Sequence, residues 1–176
     1  VLRSAGLTVD QGETLSDVDE AAEWMQRMVL QILDLTRPDG VGVEVDCEAV
    51  EMAALLERVA SPVRRQLSEL GRRLEVEVHA GGETAWADPG LLRRLVANLA
   101  DNAGRFAPRG TAVVLRAKPC PGGWRLEVED EGPGVEADKR AIIFEPYTRL
   151  ERSSRQTRGL GLAFCRLAAE AHGGRI

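Results

Sequence analysis

The sequence has few aromatic residues, no long apolar run and no excess of positive charge. Aromatic residues make up 4% of the 176 residues, so a core must be built mainly from leucine, valine and alanine. No apolar run approaches the roughly 18 residues that a membrane-spanning helix needs. The net charge of −5 gives no sign of the basic face of a nucleic-acid binder, so we expect no nucleic-acid partner.

The cysteines are too few and too widely separated to form a disulfide framework or a metal cluster. Cys47, Cys120 and Cys165 share no metal-ligand spacing, and an odd number of thiols argues against complete pairing. Reduced thiols are typical of the cytosol. We therefore expect a cytoplasmic location, and we leave open a membrane anchor in the full-length protein.

The N-terminal part of the chain has the pattern of a helix that packs against another helix. Ser16 is a suitable N-cap, and apolar residues then recur at steps of three and four, at Val18, Ala21, Met25, Met28, Ile32 and Leu35. This narrow seam predicts a dimerisation or bundle helix and a weak homodimer; the alternative is a helix that lies on the core of its own domain. Turn residues at 38–40 end the helix, so we divide the chain into residues 1–40 and a second domain, residues 41–176.

Strands and helices are mixed through the second domain. Alternating apolar residues predict four strands, at residues 41–45, 74–78, 111–118 and 124–129, with a turn over 119–123. Helices are predicted at residues 52–70, 89–106 and 159–172. Asp88 is the expected N-cap of the second helix, with Pro89 at its first position. This order favours an α+β fold in which helices cover one face of a sheet.

The second of these helices carries two asparagines, Asn98 and Asn102. Their spacing of four residues places them on one helix face. Asparagine is a poor helix former, so a pair on one face calls for an explanation. Side-chain carbonyl oxygens are suitable ligands for a magnesium ion. The alternative is a pair of buried amides that hold nearby backbone in place.

Two glycine-rich segments follow. In the first, Asp130 ends a strand, where its carboxylate can accept a hydrogen bond from an exocyclic amine, and Gly132 and Gly134 allow backbone to approach a flat ligand. The alternative is a plain turn. The second segment, residues 159–162, opens the last helix, where backbone N–H groups can form an anion site; the alternative is a flexible helix start. Four arginines precede it, at Arg149, Arg152, Arg155 and Arg158. They either close over phosphates or keep a loop soluble.

In this order, the segments resemble the nucleotide-binding boxes of sensor histidine kinases, which share a superfamily with gyrase, mismatch-repair proteins and the heat-shock chaperone ATPase. The asparagine box, the first glycine box, the phenylalanine box and the second glycine box correspond to residues 98–103, 130–134, 143–147 and 159–163. Each box alone is a weak signal, but four boxes in the right order are highly specific. The resemblance implies the Bergerat ATP-binding fold, a two-layer sandwich of a mixed sheet with helices on one face, preceded by a helix.

The resemblance also implies the ligands, ATP and Mg²⁺, and the residues that hold them. Asn98 and Asn102 would hold magnesium against the triphosphate and, with the phosphate contact Arg105, would form the catalytic set. Phe106 would lie beside the nucleotide, and Asp130 would accept from the adenine amino group. The remaining contacts would come from Gly132 and Gly134 in the pocket and, at the phosphates, from Arg158, Gly159, Leu160, Gly161 and Leu162.

The sequence departs from the family at the phosphoacceptor. Histidine kinases carry the acceptor histidine on the first helix of a two-helix dimerisation hairpin, whereas residues 1–40 resemble the second helix only. His79 and His172 lack the acceptor motif, and Thr157 stands where a glycine is usual. The resemblance therefore implies part of a longer kinase that transfers the γ-phosphate to a histidine outside this chain, on a dimerisation domain in cis or in trans, with a downstream response regulator.

Other activities of the same fold remain as alternatives. ATP hydrolases of this superfamily use a glutamate as general base where this sequence has Asn98, and an amide cannot accept a proton from water. A pseudokinase that only binds a nucleotide or a partner would be free to lose the boxes that are retained here. A serine kinase of the anti-sigma type is the third alternative.

Overall fold

The computed structural model describes residues 45–79, 84–146, 148 and 159–176. The helix predicted within residues 1–40, nearly all of the strand predicted at 41–45, Tyr147 and the arginines between 149 and 158 lie outside the described residues. The possible homodimer seam lies outside them as well.

The first described elements are a short strand and a long helix. Strand β1 (Glu48–Glu51) leads directly into helix α1 (Met52–Glu69), which confirms the helix predicted from the apolar pattern. Pro62 lies inside α1 on its exposed side, where water can solvate the carbonyl that proline leaves without an N–H partner. The opposite side of α1 is apolar and buried, with Met52, Leu55, Leu56, Val59, Ala60, Val63 and Leu67 in the core.

Helix α2 (Pro89–Phe106) has the N-terminus that the sequence predicted. The Asp88 carboxylate accepts hydrogen bonds from the backbone N–H groups of Gly90 at 2.8 Å and Leu91 at 2.9 Å. Pro89 follows in the first turn, where its missing N–H costs nothing. This cap fixes the position of α2, which carries the predicted asparagine pair.

Three strands form a mixed sheet, as predicted. Strand β2 (Arg73–Val78) pairs in parallel with β4 (Ala112–Cys120), and β4 pairs antiparallel with β5 (Gly123–Glu129). The turn predicted within residues 119–123 is confirmed but is shorter than predicted, because β4 continues to Cys120 and only two residues connect it to β5. The second of them, Gly122, has φ +84°, which favours glycine.

Strand β1 pairs antiparallel with β3 (Thr84–Ala87) in a separate two-stranded sheet. Neither strand was predicted. The stretch 41–45 was predicted as a strand instead, and the one residue of it that the structure describes, Val45, precedes β1.

The three-stranded sheet has an apolar face toward the helices and a charged face away from them. Leu74, Val113, Leu115 and Ala117 are buried on the helix side. On the other face, Arg116 forms ion pairs with Glu77 of β2 and with Glu129 of β5. Helices on one face of a mixed sheet are the predicted arrangement. Phe164 is the one aromatic side chain in the buried core of the described residues, which agrees with the low aromatic content.

The last helix, α3 (Gly161–Ala171), begins two residues later than predicted. Its C-cap is His172, where the sequence predicted the helix to end, and the following Gly173 has a left-handed φ of +70°. Within the described part of the chain, no helix is both long and apolar enough to cross a membrane.

Candidate functional site

Helices α2 and α3 lie side by side and run in opposite directions. The Cys165 Sγ lies 3.6 Å from the Leu95 carbonyl oxygen, and at the far end the Asp88 backbone N–H donates to His172 Nε2 at 2.9 Å. Because residue numbers rise along one helix as they fall along the other, the start of α3 lies beside the middle of α2. This brings the predicted second glycine box next to the predicted asparagine box.

Asn98 and the start of α3 approach closely. A Cβ placed on Gly161 would lie 3.3 Å from Asn98 Oδ1, tighter than most contacts in folded proteins. Asn98 and Asn102 are half-buried, one turn apart on α2. The side chain of Asn98 is therefore directed at the glycine-rich turn, and glycine at position 161 leaves room for it.

The backbone at the start of α3 is suited to an anion. Gly159 has φ +69°, and the N-cap residue Leu160 makes no side-chain cap hydrogen bond. The first N–H groups of a helix have no partner within the helix, and the helix dipole makes this end positive. Gly161 and Leu162 are half-buried and Leu160 is buried, so this turn is held against the protein. Arg158, which the sequence assigned to the same site, lies outside the described residues.

The loop after β5 holds the Asp130 carboxylate in a fixed orientation. Asp130 Oδ1 accepts a hydrogen bond from the Gly132 backbone N–H at 2.7 Å. A Cβ on Gly132 would lie 2.5 Å from that oxygen and 3.1 Å from the Phe106 carbonyl oxygen, so a larger residue would force the Asp130 carboxylate to move. Gly134 has φ +71°, which also favours glycine. The loop thus lies against the C-terminal end of α2, where Arg105 and Phe106 are exposed.

The predicted phenylalanine box lies on the other side of α3. A 3₁₀ turn, Ile142–Phe144, is followed by Glu145, whose carboxylate accepts from Arg166 of α3 at 2.9 Å. Arg166 also binds Glu170 at 2.9 Å. Between Pro146 and α3 there is an open cleft of about 220 Å³, which is lined by Phe144, Glu145, Pro146, Ala163, Arg166, Leu167 and Glu170.

The sequence did not predict the contacts that three residues make where α2 packs on α3. These residues are Arg94, Phe164 and His172. The Arg94 guanidinium carbon lies 4.1 Å from the centre of the Phe164 ring. His172 was assigned only to a helix C-terminus, yet its Nε2 accepts from Asp88 and its Nδ1 lies 2.7 Å from the Ala168 carbonyl oxygen. The proton must therefore be on Nδ1. The sequence did contain one indication for Arg94: it precedes Asn98 by four residues and therefore lies on the same face of α2.

Asp88 has a perturbed pKa at the other end of the pair. Burial alone raises the pKa of Asp88, but hydrogen bonds from the backbone N–H groups of Leu91, Asp46 and Gly90 outweigh it. The net result is a pKa below the ordinary value of 3.8. Asp88 is therefore an ionised cap that joins α2 to the strand entry at Asp46, where the N–H to Oδ2 distance is 3.2 Å.

The donor set fits a magnesium ion that arrives with a ligand better than it fits a preformed metal centre. Within residues 45–79, 84–146, 148 and 159–176, no three His, Cys, Asp or Glu side chains cluster as a metal site would require. Asn98 and Asn102 instead offer neutral amide oxygens. Magnesium retains several waters and takes phosphate oxygens readily, so one or two protein oxygens are sufficient.

Comparison with known proteins agrees with this arrangement. Residues 87–176 match the family described as histidine kinase-, DNA gyrase B- and HSP90-like ATPases. The chain is 30% identical over 154 residues to the adaptive-response sensory kinase SasA of Synechococcus elongatus, covering 86% of this chain and 40% of SasA. It is 32% identical over 163 residues to the histidine-protein kinase/phosphatase MprB of Mycobacterium sp. strain KMS, covering 92% of this chain and 30% of MprB.

Solved structures show the same fold. Full-length ShkA in complex with AMPPNP superposes with a TM-score of 0.76 at 31% identity, over 96% of this chain and 35% of ShkA. The mycobacterial sensor histidine kinase MprB superposes with a TM-score of 0.60 at 33% identity, over 72% of this chain and 80% of that structure. The catalytic domain of ThkA, at 19% identity and a TM-score of 0.64, shares the fold.

The chain therefore belongs to the histidine kinase-, DNA gyrase B- and HSP90-like ATPase family. Within that family it is a catalytic domain of the sensor histidine kinase class, and the predicted family and α+β fold are confirmed. The chain spans 40% or less of the curated relatives named above.

Proposed function

We propose that this chain binds Mg-ATP and presents its γ-phosphate to a histidine on a dimerisation domain, in cis or in trans. The observation that carries the proposal is the glycine-rich first turn of α3, whose N-cap residue Leu160 makes no side-chain cap, beside Asn98 of α2. Residues 1–40 would be the second helix of the dimerisation hairpin, residues 41–176 the catalytic domain, and a response regulator the next phosphate acceptor.

The adenine would be bound at the loop after β5. The Asp130 carboxylate is already oriented by its bond to the Gly132 N–H, which engages one of its two oxygens. A carboxylate held in this way can accept a hydrogen bond from an exocyclic amine without a further loss of side-chain conformational entropy. Gly132 and Gly134 leave backbone accessible to a flat base, and the exposed Phe106 at the end of α2 offers an aromatic face.

The phosphates would be bound at the start of α3. The N–H groups of its first turn supply hydrogen bonds, and Arg105 and Arg158 supply positive charge. Asn98 and Asn102 would hold the magnesium ion, which supplies neutralisation of the charge on the phosphate oxygens. This chain's residues then orient the triphosphate and exclude water. Asn98 cannot act as the base that hydrolysis needs, which favours transfer to another protein group over transfer to water.

The transfer step would use a nucleophile from the dimerisation domain. A neutral imidazole nitrogen there gives its electron pair to the γ-phosphorus, the bond from the phosphorus to the bridging oxygen breaks, and ADP leaves with the electron pair of that bond. The phosphorylated ring then loses the proton on its other nitrogen to solvent. His172 is unsuited to this role, because Nε2 accepts a hydrogen bond and Nδ1 carries the proton. This chain forms no covalent intermediate, so its contribution is positioning and electrostatic stabilisation.

Calorimetric titration with a non-hydrolysable ATP analogue, with and without magnesium, tests the proposal. We expect binding between about 1 μM and 1 mM, the usual range for enzyme substrates, and tighter binding with magnesium. Asn102→Ala should remove the gain from magnesium and leave the magnesium-free affinity unchanged, whereas Arg93→Ala on the exposed side of α2 should change neither. Absence of heat and of any thermal shift at millimolar analogue would disprove nucleotide binding. Binding without any transfer to a supplied acceptor would indicate a pseudokinase.

A further inference from the structure

Arg94 lies over a buried aromatic ring at the helix pair. It is half-buried on α2, and its guanidinium carbon is 4.1 Å from the centre of the Phe164 ring. Phe164 has no exposed surface and is the fourth residue of α3. A guanidinium at this distance over a ring is attracted by the negative face of the π-system, and more strongly when both groups are removed from water.

This contact lies one turn away from the candidate phosphate site on both helices. Along α2, Arg94 precedes Asn98 by four residues; along α3, Phe164 follows Gly161 by three. The Phe164 N–H donates to the Leu160 carbonyl oxygen at 2.9 Å, so Phe164 closes the first turn of α3. The group that Arg94 contacts is therefore the residue that completes the candidate anion-binding turn.

The first turn of α3 has little to stabilise it locally. Gly159 and Gly161 are poor helix formers, and Leu160 provides no side-chain cap. The position of this turn therefore depends on packing against its neighbours, and α2 is the neighbour on the side that faces Asn98. Cys165, next to Phe164, approaches the Leu95 carbonyl oxygen, next to Arg94, so the two helices are in contact at this level through adjacent residues on each.

We infer that Arg94 is a positioning residue for the phosphate site: its stacking on Phe164 holds the first turn of α3 at the distance from Asn98 that phosphate binding requires. The inference rests on the proposed function. Arg94 acts through Phe164 and does not need to touch the nucleotide. Its loss should therefore weaken binding of a triphosphate, which uses the α3 turn, and spare adenosine, which would use Asp130, the loop after β5 and Phe106.

Arg94→Met tests this, since methionine keeps an unbranched apolar side chain and removes the guanidinium. The affinity for Mg-AMPPNP is measured by calorimetry and that for adenosine by ligand-observed NMR, which reaches millimolar affinities. We expect the AMPPNP affinity to fall about tenfold, the order of a desolvated cation–π contact, and the adenosine affinity to stay within about twofold. Arg94→Lys should restore most of the loss, and the matched control Arg93→Met on the exposed side of α2 should show none.

Phe164→Leu provides a second route if Arg94→Met folds poorly. It removes the ring, keeps most of the apolar volume, and should give the same selective loss with Arg94 intact. The double variant should bind AMPPNP no more weakly than either single variant, because both remove one interaction. An equal loss for both ligands, or no loss, overturns the inference alone. No AMPPNP binding by the unaltered chain overturns the proposed function and this inference with it.

Discussion

Asn98 Oδ1 faces the first turn of α3 so closely that a Cβ on Gly161 would lie 3.3 Å from it. The two residues are on different helices and come from the two predicted boxes that are farthest apart in the sequence. Because they are so close, a substitution at Gly161 can change the space between the two helices at this point without altering the core.

Gly161→Ala should weaken nucleotide binding more than it affects stability. The added methyl forces Asn98 to shift by a few tenths of an ångström, whereas alanine is a better helix former than glycine, which offsets part of the crowding. We expect a loss of about 1 kcal/mol in the free energy of Mg-AMPPNP binding and little change in urea unfolding. Gly123→Ala is the control, because a Cβ there meets nothing within 4 Å. Unchanged affinity in Gly161→Ala would show that this gap is not part of the phosphate site.

Asp130→Asn should reduce the preference for ATP over GTP. Asparagine can keep the bond from the Gly132 N–H with its carbonyl oxygen, so the loop is retained, but its NH₂ replaces the second carboxylate oxygen. The adenine amine would then face a donor, at a cost of about 1–3 kcal/mol. Competition titrations with ATP and GTP measure the ratio, with the exposed Glu131→Gln as control. An unchanged ratio would remove Asp130 from adenine recognition.

The sequence was informative where local chemistry determines structure and uninformative where distant residues meet. The start of α2 was predicted because Asp88 and Pro89 act on neighbouring backbone groups. Pro119 suggested a turn, but it lies in β4 beyond Ala117, the last residue that β2 pairs with, so its missing N–H does not interrupt that ladder. Strands β1 and β3 have four residues each, too few to show a period.

The site shows the same division. The boxes were recognisable because each is a short motif with a particular backbone requirement, such as the left-handed φ of Gly134 and Gly159. The bond from Asp88 to His172 and the stacking of Arg94 on Phe164 join residues that are 84 and 70 positions apart. No local sequence pattern predicts such pairs, because they form only when α3 packs on α2.

Asp88→Ala should destabilise the domain at neutral pH by about 1 kcal/mol, the usual value of an N-cap. The folded-state pKa of Asp88 lies below its ordinary value of 3.8, so the ionised cap stabilises the fold above that pH and this stabilisation is lost as the pH falls through the folded pKa. Urea unfolding at pH 7 and near pH 3 should show a smaller effect of the substitution in acid. Asp88→Asn does not titrate and keeps the bonds from Gly90 and Leu91 through its carbonyl oxygen, but its NH₂ would face the Asp46 N–H. It should therefore lie between wild type and Asp88→Ala at pH 7. A pH-independent effect of Asp88→Ala would contradict the lowered pKa.

This chain alone should not become stably phosphorylated on histidine. The sequence carries two histidines; His172 has both ring nitrogens engaged, and His79 follows β2, with its Nε2 4.0 Å from the Glu77 carboxylate. Neither has the acceptor motif, so incubation with radiolabelled ATP should give no acid-labile, base-stable label on the chain.

Adding a dimerisation hairpin with its acceptor histidine should give that label on the hairpin, and a hairpin with that histidine replaced by glutamine should give none. Asn102→Ala should abolish the transfer while the chain stays folded, because the triphosphate would lose its magnesium ligand. Label on His79 or His172 of the isolated chain would show that the acceptor lies within it, and label on a serine of a partner would favour a serine kinase.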